Sequence, residues 1–429
     1  MDYSEARCIL ENLPTLEVKP GLARINRLLA ALDHPQRTFR TIHVAGTNGK
    51  GSVTAMLTSI LRQAGYRVGR FTSPELLGFR DRICVDDTWI AKRELADAVE
   101  ELRPFLDEEG DRPTLFEALT AIAYAHFAAQ RVDFAVVEAG LGGRFDATNT
   151  VIPVLTILTN VGRDHTKLLG NRIERIAWEK VGIAKRGVPL LTGDLAPAVE
   201  TVLVEACRLA AAKPVALDPI SVKRARFDWE RTTYAVEAEG LPKTIDLPLL
   251  GGYQGENLRA VLGAVRLLRE QGVVIANEAV ISGLSEVRWP GRFEVVARDP
   301  TIVLDGAHNG PAAQTLAREV ADYVPNKRHR HLLFGVLADK EWETIIRILF
   351  PQFACVTLTR SQSPRALPLD ALSAAASPLG VSSRGCETVP VGLARARSGL
   401  VTQDVLFVAG SLSVVGEARA ALVEVPCRL

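Results

Sequence analysis

Residues 43–53 read His43-Val44-Ala45-Gly46-Thr47-Asn48-Gly49-Lys50-Gly51-Ser52-Val53, a glycine-rich loop between an apolar run and a helical stretch. Backbone N–H groups of such a loop, aided by the positive end of the helix after it, cradle phosphate groups. Lys50 adds a mobile positive charge. The stretch therefore predicts a strand–loop–helix unit that binds ATP through its β- and γ-phosphates. The common pattern G-x-x-x-x-G-K-[ST] sets a hydroxyl after the lysine to hold Mg²⁺. Here the two glycines before the lysine stand closer together, and Gly51 takes the hydroxyl position. A protein oxygen for the metal must then come from elsewhere.

Outward from this loop, Ile42–Ala45 reads as a strand and Gly51–Ala64 as its helix, with a second strand over Arg67–Thr72. Apolar residues at helical spacing mark Pro113–Gln130 as a helix. Phe134–Glu138 and Val154–Asn160 are short continuous apolar runs, the pattern of parallel strands buried on both faces. Pro189–Thr192 adds a strand and Pro197–Ala211 a helix. This alternation predicts a doubly wound α/β domain whose ligands gather at the carboxyl ends of its strands. Residues 214–248 lose the helical period and predict a small antiparallel β-subdomain, before helix returns over Tyr253–Gln271. After Trp289-Pro290-Gly291 the alternation restarts. Strands at Thr301–Leu304, His331–Gly335, Cys355–Leu358 and Val405–Ala409 interleave with helices at Pro311–Tyr323, Trp342–Phe350 and Leu412–Leu422. The expected division is 1–294 and 295–429, the second part lacking a phosphate loop of its own. The polar run Asn326-Lys327-Arg328-His329-Arg330 reads as a solvated loop.

The 429 residues, 47% hydrophobic and 24% charged, fit a globular protein with a large core. A formal charge of +1 gives no global field toward nucleic acid or anionic lipid, and no apolar run has the length to span a bilayer. Met1-Asp2-Tyr3-Ser4-Glu5-Ala6-Arg7 lacks the basic and apolar regions of a secretory signal. The six cysteines are widely spaced and form no C-x-x-C pair, as expected of a reducing cytoplasm.

Three further strand tips carry chemistry. Glu138 ends a buried strand and opens Ala139-Gly140-Leu141-Gly142-Gly143-Arg144-Phe145-Asp146-Ala147-Thr148-Asn149, where an acidic side chain in a nucleotide site meets Mg²⁺. His165 follows another strand in Asn160-Val161-Gly162-Arg163-Asp164-His165-Thr166. Ser73 ends a third and offers the missing hydroxyl. Ser73, Glu138 and His165 thus make an O/O/N set suited to Mg²⁺, which takes few protein ligands plus phosphate oxygens and water. Lys180, on a helix, reads from the sequence alone as a surface lysine. Arg292, which precedes the second part, and Asp305 within it suit closure over ATP, guanidinium on phosphate and carboxylate on ribose or base; each reads equally as a local cap or surface ion pair. Ala409-Gly410-Ser411-Leu412-Ser413 is a strand-to-helix turn whose free N–H groups favour a carboxylate or similar anion.

Together these segments resemble the folylpolyglutamate synthase/dihydrofolate synthase family, a branch of the Mur-ligase-like ATP-dependent amide ligases. The phosphate loop points to the wider superfamily. Thr72-Ser73-Pro74, the run from Gly140 to Asn149 and Trp289-Pro290-Gly291-Arg292 point to the folate branch. The resemblance implies a Mur-ligase-like P-loop domain with a mostly parallel sheet and a small antiparallel subdomain, followed by a smaller Rossmann-like α/β domain. It implies a ligase that joins L-glutamate to dihydropteroate, reduced folates or both through an acyl phosphate, with ATP and Mg²⁺ at one or two sites. K⁺ stays open as a further cofactor, and a cytoplasmic monomer is expected.

By the same resemblance Thr47, Asn48, Gly49 and Lys50, with Gly51 and Ser52 beside them, hold the phosphates. Asn257, Arg292 and Asp305 contact ATP. Ser73, Glu138 and His165 bind Mg²⁺, joined by Lys180, which relatives carry carbamylated. His308 and Ser411 meet glutamate or the acyl phosphate. Lys19, Pro20, Gly21, Thr114, Leu115, Phe116, Glu117, Phe145, Asp146 and Ala147 form the pterin pocket. Departures from the family pattern spare the metal set and the phosphate loop: Phe79-Arg80-Asp81-Arg82-Ile83 in the folate-side loop for the usual Phe-Asn-Glu-Arg-Ile, Lys19-Pro20-Gly21 for Asp-Leu-Gly, and Arg186 where proline is common. Three other readings stand beside this one. A cell-wall precursor ligase would carry an additional N-terminal domain, and only about forty residues precede the loop. A non-catalytic nucleotide-binding protein would tolerate loss of Glu138, His165 or Lys50, and all three are present. A simple P-loop kinase fits neither the short loop nor the second α/β part.

Overall fold

The computed structural model describes residues 1–15, 21–106, 111–218 and 220–423. Strands β1 (Arg40–Ala45), β2 (Val68–Phe71), β3 (Ile83–Val85), β4 (Thr88–Trp89), β5 (Phe134–Glu138), β6 (Leu155–Leu158), β7 (Pro189–Thr192) and β8 (Lys213–Ala216) form an eight-stranded sheet. Their order is β4-β3-β2-β5-β1-β6-β7-β8. The strands from β2 to β8 across the sheet run parallel, and β3 and β4 add an antiparallel hairpin at one edge. β1 and β5 are buried almost throughout, which is why they read as unbroken apolar runs rather than as alternation.

Register fixes the site before any side chain is considered. Val44 of β1 pairs with Glu138 of β5, Ala45 pairs with Leu158 of β6, and Phe71 of β2 pairs with Val137. The loop after β1, the carboxylate of Glu138, the turn holding Ser73 and the segment after β6 therefore emerge side by side at the carboxyl edge. The helix Lys50–Gln63 then lies against the sheet, with Val53, Met56, Leu57, Ile60 and Leu61 fully buried. Each large apolar side chain buried this way contributes about 1.5–3 kcal/mol.

Strands β9 (Ser221–Phe227), β10 (Thr232–Glu237) and β11 (Thr244–Leu247) form the antiparallel subdomain. The expected segment 214–248 is corrected at its start, because β8 joins the large sheet as its parallel edge beside β7. β8 itself is short and mostly exposed, so no apolar run marked it as a strand of the large sheet. Strands β12 (Glu294–Arg298), β13 (Thr301–Leu304), β14 (Arg330–Phe334), β15 (Cys355–Thr359), β16 (Ser382–Cys386) and β17 (Val405–Ala409) make the second sheet, in the order β12-β13-β17-β14-β15-β16. Its strands are parallel except for β12.

The stretch read as a solvated loop, Asn326–Arg330, is corrected at its end. Arg330 is buried and opens β14, its guanidinium donating to the carbonyls of Val324, Pro325 and Gln352. Helices Leu369–Ala376 and Val389–Arg397 and strand β16 complete the second part. Sequence reading left them unassigned because alanine, serine and glycine blur their periods. Among the described residues, no helix is long and apolar enough to cross a membrane, and Cys8, Cys84, Cys207, Cys355 and Cys386 are free thiols.

Candidate active site

The loop after β1 is held from behind by the residues leaving β6. The Thr47 N–H donates to the Asn160 carbonyl (3.0 Å) and the Asn48 N–H to Asn160 Oδ1 (3.0 Å). Thr159 Oγ1 and Asn160 Nδ2 both donate to the Asn48 carbonyl, at 2.7 and 3.0 Å. Gly49 has φ +84° and lies against Asn257, while a Cβ on Gly51 would stand 2.6 Å from Cζ2 of Trp289. The left-handed backbone at one position and the indole at the other explain why both are glycine. Asn257, itself buried, donates to Gln254 Oε1 at 2.8 Å, and Gln254 reaches Ser52 Oγ at 3.4 Å. The expected residues Thr47, Asn48, Gly49, Gly51, Ser52 and Asn257 therefore share one locality.

Lys50 folds over this loop. Its Nζ donates to the carbonyls of Gly46 and Thr47 at 3.2 Å each and stands 3.8 Å from Glu138 Oε1. Glu138 is 4% exposed and accepts the Ser73 N–H at 3.3 Å. Burial pushes its pKa up, against the pull of the Lys50 cation. Reading Lys180 as a surface lysine is overturned: it is 5% exposed, and its Nζ donates to the Gly46 carbonyl at 2.7 Å. Burial and the neighbouring Lys50 charge lower its pKa to about 7. The sequence could not show this, because the burying partner is a backbone carbonyl 134 residues away.

His165 is placed differently from the other expected metal ligands. It has φ +50°, its side chain is 38% exposed, and its nearest ionic partner is Asp164 at 3.9 Å. Among the described residues, no group of three His, Cys, Asp or Glu side chains stands close enough to hold a metal ion. The expected set draws on only two such side chains. A buried carboxylate whose nearest cation, Lys50, stands 3.8 Å away, beside the serine turn, nonetheless fits a hard cation that completes its shell with phosphate oxygens.

The second sheet faces this edge. Asp305, at the tip of β13, is buried and accepts the N–H groups of Ala307 (2.9 Å) and Phe293 (3.0 Å). Burial raises its pKa, opposed by Arg292. Arg292 donates to the Gly291 carbonyl at 3.3 Å. His308 is pinned by its Nδ1 to the Gly306 carbonyl at 2.7 Å, leaving Nε2 3.8 Å from Asp164 Oδ2. Burial and Lys340 lower its pKa to about 4.

Asp164 is the junction of the two parts. It accepts from Asn309 Nδ2 (2.9 Å) and Lys340 Nζ (3.2 Å). Burial alone would raise its pKa, but Lys340, His165, His308 and the Asn309 hydrogen bond hold it well below the usual carboxylate range. Asn309 also exchanges hydrogen bonds with Asn48 at 3.0 and 3.4 Å and caps the helix Gly310–Tyr323. Asn160, Asp164 and Asn309 lie inside segments singled out from the sequence, yet they were not expected as site residues. Lys340, in a short polar turn, gave no signal.

The remaining expected residues divide. Ser411 caps the helix Leu412–Leu422, its Oγ accepting the Val414 N–H at 3.3 Å, and none of its hydrogen bonds reaches the phosphate loop. On the pterin side, Phe116 lies on Gly140 and stacks on Phe71 with centroids 5.7 Å apart. Leu115 is fixed by its N–H to the Pro14 carbonyl. Thr114 and Glu117 form a capping box, and Glu117 also pairs with Arg24 at 3.1 Å. Asp146 is buried and occupied by the N–H groups of Leu141 and Thr148, while Ala147 is buried behind it. Phe145 is 51% exposed at the rim. Gly21 has φ +129°, and Lys19 and Pro20 lie outside the described residues.

A phosphate loop facing a second α/β part across such a cleft defines a Mur-type ligase. Residues 44–265 match the Mur ligase middle domain, and residues 291–412 match the Mur ligase glutamate ligase domain. A dihydrofolate synthase/folylpolyglutamate synthase of Bacillus subtilis (strain 168) is 40% identical over 356 residues, 81% of this chain and 82% of its own length. The solved folylpolyglutamate synthase of Thermotoga maritima superposes with a TM-score of 0.85 at 34% identity, covering 98% of this chain and 96% of the other. That of Mycobacterium tuberculosis, complexed with ADP, gives 0.91 at 32% identity and 99% coverage of both chains. The chain belongs to the dihydrofolate synthase/folylpolyglutamate synthase family, whose members are ATP-dependent ligases forming an amide bond with glutamate.

Proposed function

We propose that this protein joins L-glutamate to the carboxylate of dihydropteroate, and of reduced folates, at the expense of ATP. The observation that carries the reading is the convergence of Lys50, Glu138 and Lys180 from one sheet with Asn309, His308 and Lys340 from the other, linked through Asn48 and Asp164.

In this reading the pterin-bearing carboxylate oxygen attacks the γ-phosphorus of ATP and ADP leaves. The glutamate α-amine then attacks the acyl carbon, loses its proton, and phosphate departs. The amides of Gly49 and Lys50 bind the β- and γ-phosphates in a loop whose shape Thr47 and Asn48 fix through Asn160, and Lys50 Nζ, released from the loop carbonyls, neutralises them. Arg292, just ahead of β12, adds a second cation, and Asp305 and Asn257 orient the nucleoside. Asp164 and Lys340 hold the two parts together so that acyl group and amine meet in a fixed geometry. Nε2 of neutral His308 stands at the junction, able to take a proton from the incoming amine. Glu138, Ser73 and His165, with Lys180 once carbamylated, would hold Mg²⁺, which supplies charge neutralisation on the phosphates. Ser411 serves the glutamate carboxylate through the amides of the helix it caps.

The pterin lies against Phe116, with Phe145 at the rim and the segments at Lys19–Gly21, Thr114–Glu117 and Asp146–Ala147 around it. The division at 294/295 is part of the proposal, supported by the start of β12 at Glu294. So are Mg²⁺ at one or two sites and a cytoplasmic monomer. Mass spectrometry of reactions with Mg-ATP, glutamate and either dihydropteroate or tetrahydrofolate tests the reading. A product heavier by one glutamate residue is expected, and no glutamylated product from either acceptor would overturn it.

A further inference from the structure

Behind the phosphate-loop helix, away from its phosphate-binding end, lies a cavity of about 540 Å³. It is lined by Ser59 and Arg62 of that helix, by Arg70 of β2, and by Asp87, Glu286 and Arg288. None of these residues takes part in the proposed ligase site. Three guanidinium groups here face two carboxylates, and the carboxylates are unevenly used. Asp87 serves two arginines at once, Arg62 at 2.7 Å and Arg70 at 3.6 Å. Glu286 is exposed and accepts instead from Gln63 Nε2 at 2.7 Å. Arg288 is exposed and has no hydrogen bond or ion pair among the described residues.

Arg70 is the most telling of the three. It is 2% exposed, and its guanidinium carries five N–H donors that need acceptors. Among the described residues its one side-chain hydrogen bond runs from Nη2 to the Cys84 sulfur at 3.2 Å, a weak acceptor, and its Asp87 contact is longer than a hydrogen bond. Among the described residues, Arg70 Nε has no hydrogen-bond partner, and neither does the buried Nε of Arg62. Leaving buried donors unmade is costly, and the group they lack is an acceptor with several oxygens. Arginine forks match the oxygens of phosphate in geometry as well as in charge.

We propose that this cavity is a second anion site, for a phosphate-class dianion, either free phosphate or a phosphate monoester. Its position joins it to the nucleotide site. The Arg70 guanidinium lies 5.2 Å from the Trp289 ring centre, and the same indole rests on Gly51 of the phosphate loop. An anion that draws Arg62, Arg70 and Arg288 together fixes the wall on which that loop sits. The proposal does not depend on the ligase reading.

The test is calorimetric titration of the full chain, first saturated with Mg²⁺ and AMPPCP so that the phosphate loop is filled. Inorganic phosphate is the probe in one arm and glycerol 3-phosphate in the other. One site per chain is expected, weakened at least tenfold in Arg62→Gln/Arg288→Gln while AMPPCP affinity stays within twofold. Tighter binding of the free ion or of the ester assigns the source, and either supports the site. Arg288→Gln alone, which removes an exposed side chain without a partner, keeps the test valid should the double variant fold poorly; it weakens binding at least threefold. Absence of saturable binding in both arms, or binding unchanged in Arg288→Gln, would overturn the proposal.

Discussion

The Asp164–Lys340 pair ties the two parts of the chain together, so it gives the sharpest quantitative expectation. Their 3.2 Å separation corresponds to a Coulomb attraction of about 5 kcal/mol at an effective dielectric of ~20. Both side chains are close to nine-tenths buried, at 10% and 11% exposure, so desolvation removes the larger part of that gain. Coupling of about 1–2 kcal/mol remains. Lys340→Met leaves Asp164 with Asn309 and two histidines as its partners, while Asp164→Asn leaves Lys340 beside His308. In the double variant neither charge is stranded, and the loss falls below the sum of the single losses by the coupling energy. Equilibrium denaturation of the four proteins measures it. Each single variant should also lower kcat/KM for ligation, since the pair holds the cleft. Additivity within about 0.3 kcal/mol would refute the claim that this pair joins the two parts.

Three other outcomes follow from the same geometry. Lys50→Ala and Glu138→Gln should each lower kcat at least a hundredfold, the usual scale for losing a charge-stabilising group, while far-ultraviolet dichroism stays unchanged; near-normal turnover in either removes the proposed site. Lys180→Ala should be inactive and partly rescued by a short-chain carboxylic acid, and failure of both parts would reduce Lys180 to a buried structural residue. His43 is fully buried against Thr148, and burial, with the Lys185 charge, lowers its pKa to about 3. The unfolded chain therefore binds the extra proton first, and stability falls as pH drops below about 6.5 toward 3. Between pH 7 and 5 this one group accounts for roughly 2 kcal/mol. His43→Gln should flatten the pH dependence of the unfolding free energy by that amount, and an unchanged slope would count against a neutral His43.

The parts of the fold written in local pattern were legible. Continuous apolar runs gave β1, β5, β6 and β7, and the phosphate loop, with Glu138 at the tip of the neighbouring strand, was visible as glycine spacing and as a charge ending an apolar run. What depends on long-range packing was not. Lys180 is buried by a carbonyl far away in the chain, and no local feature separates it from an exposed helical lysine. Lys340 enters the cleft from a turn that reads as solvent-facing. The Ser411 turn was legible as a strand-to-helix turn, and its hydroxyl caps the helix that follows. β8 joined the larger sheet because edge pairing is decided by what lies beside a strand, and its short exposed run carries no trace of that neighbour.

The most direct test of the ligase reading is the coupling of phosphate release to both substrates. Mg-ATP is supplied with glutamate alone, with dihydropteroate or tetrahydrofolate alone, and with each pair. Stoichiometric phosphate and ADP are expected only when acceptor and glutamate are both present, with either pterin acceptor serving. Bound ATP with no phosphate release from any combination, or release independent of the acceptor, would contradict the account.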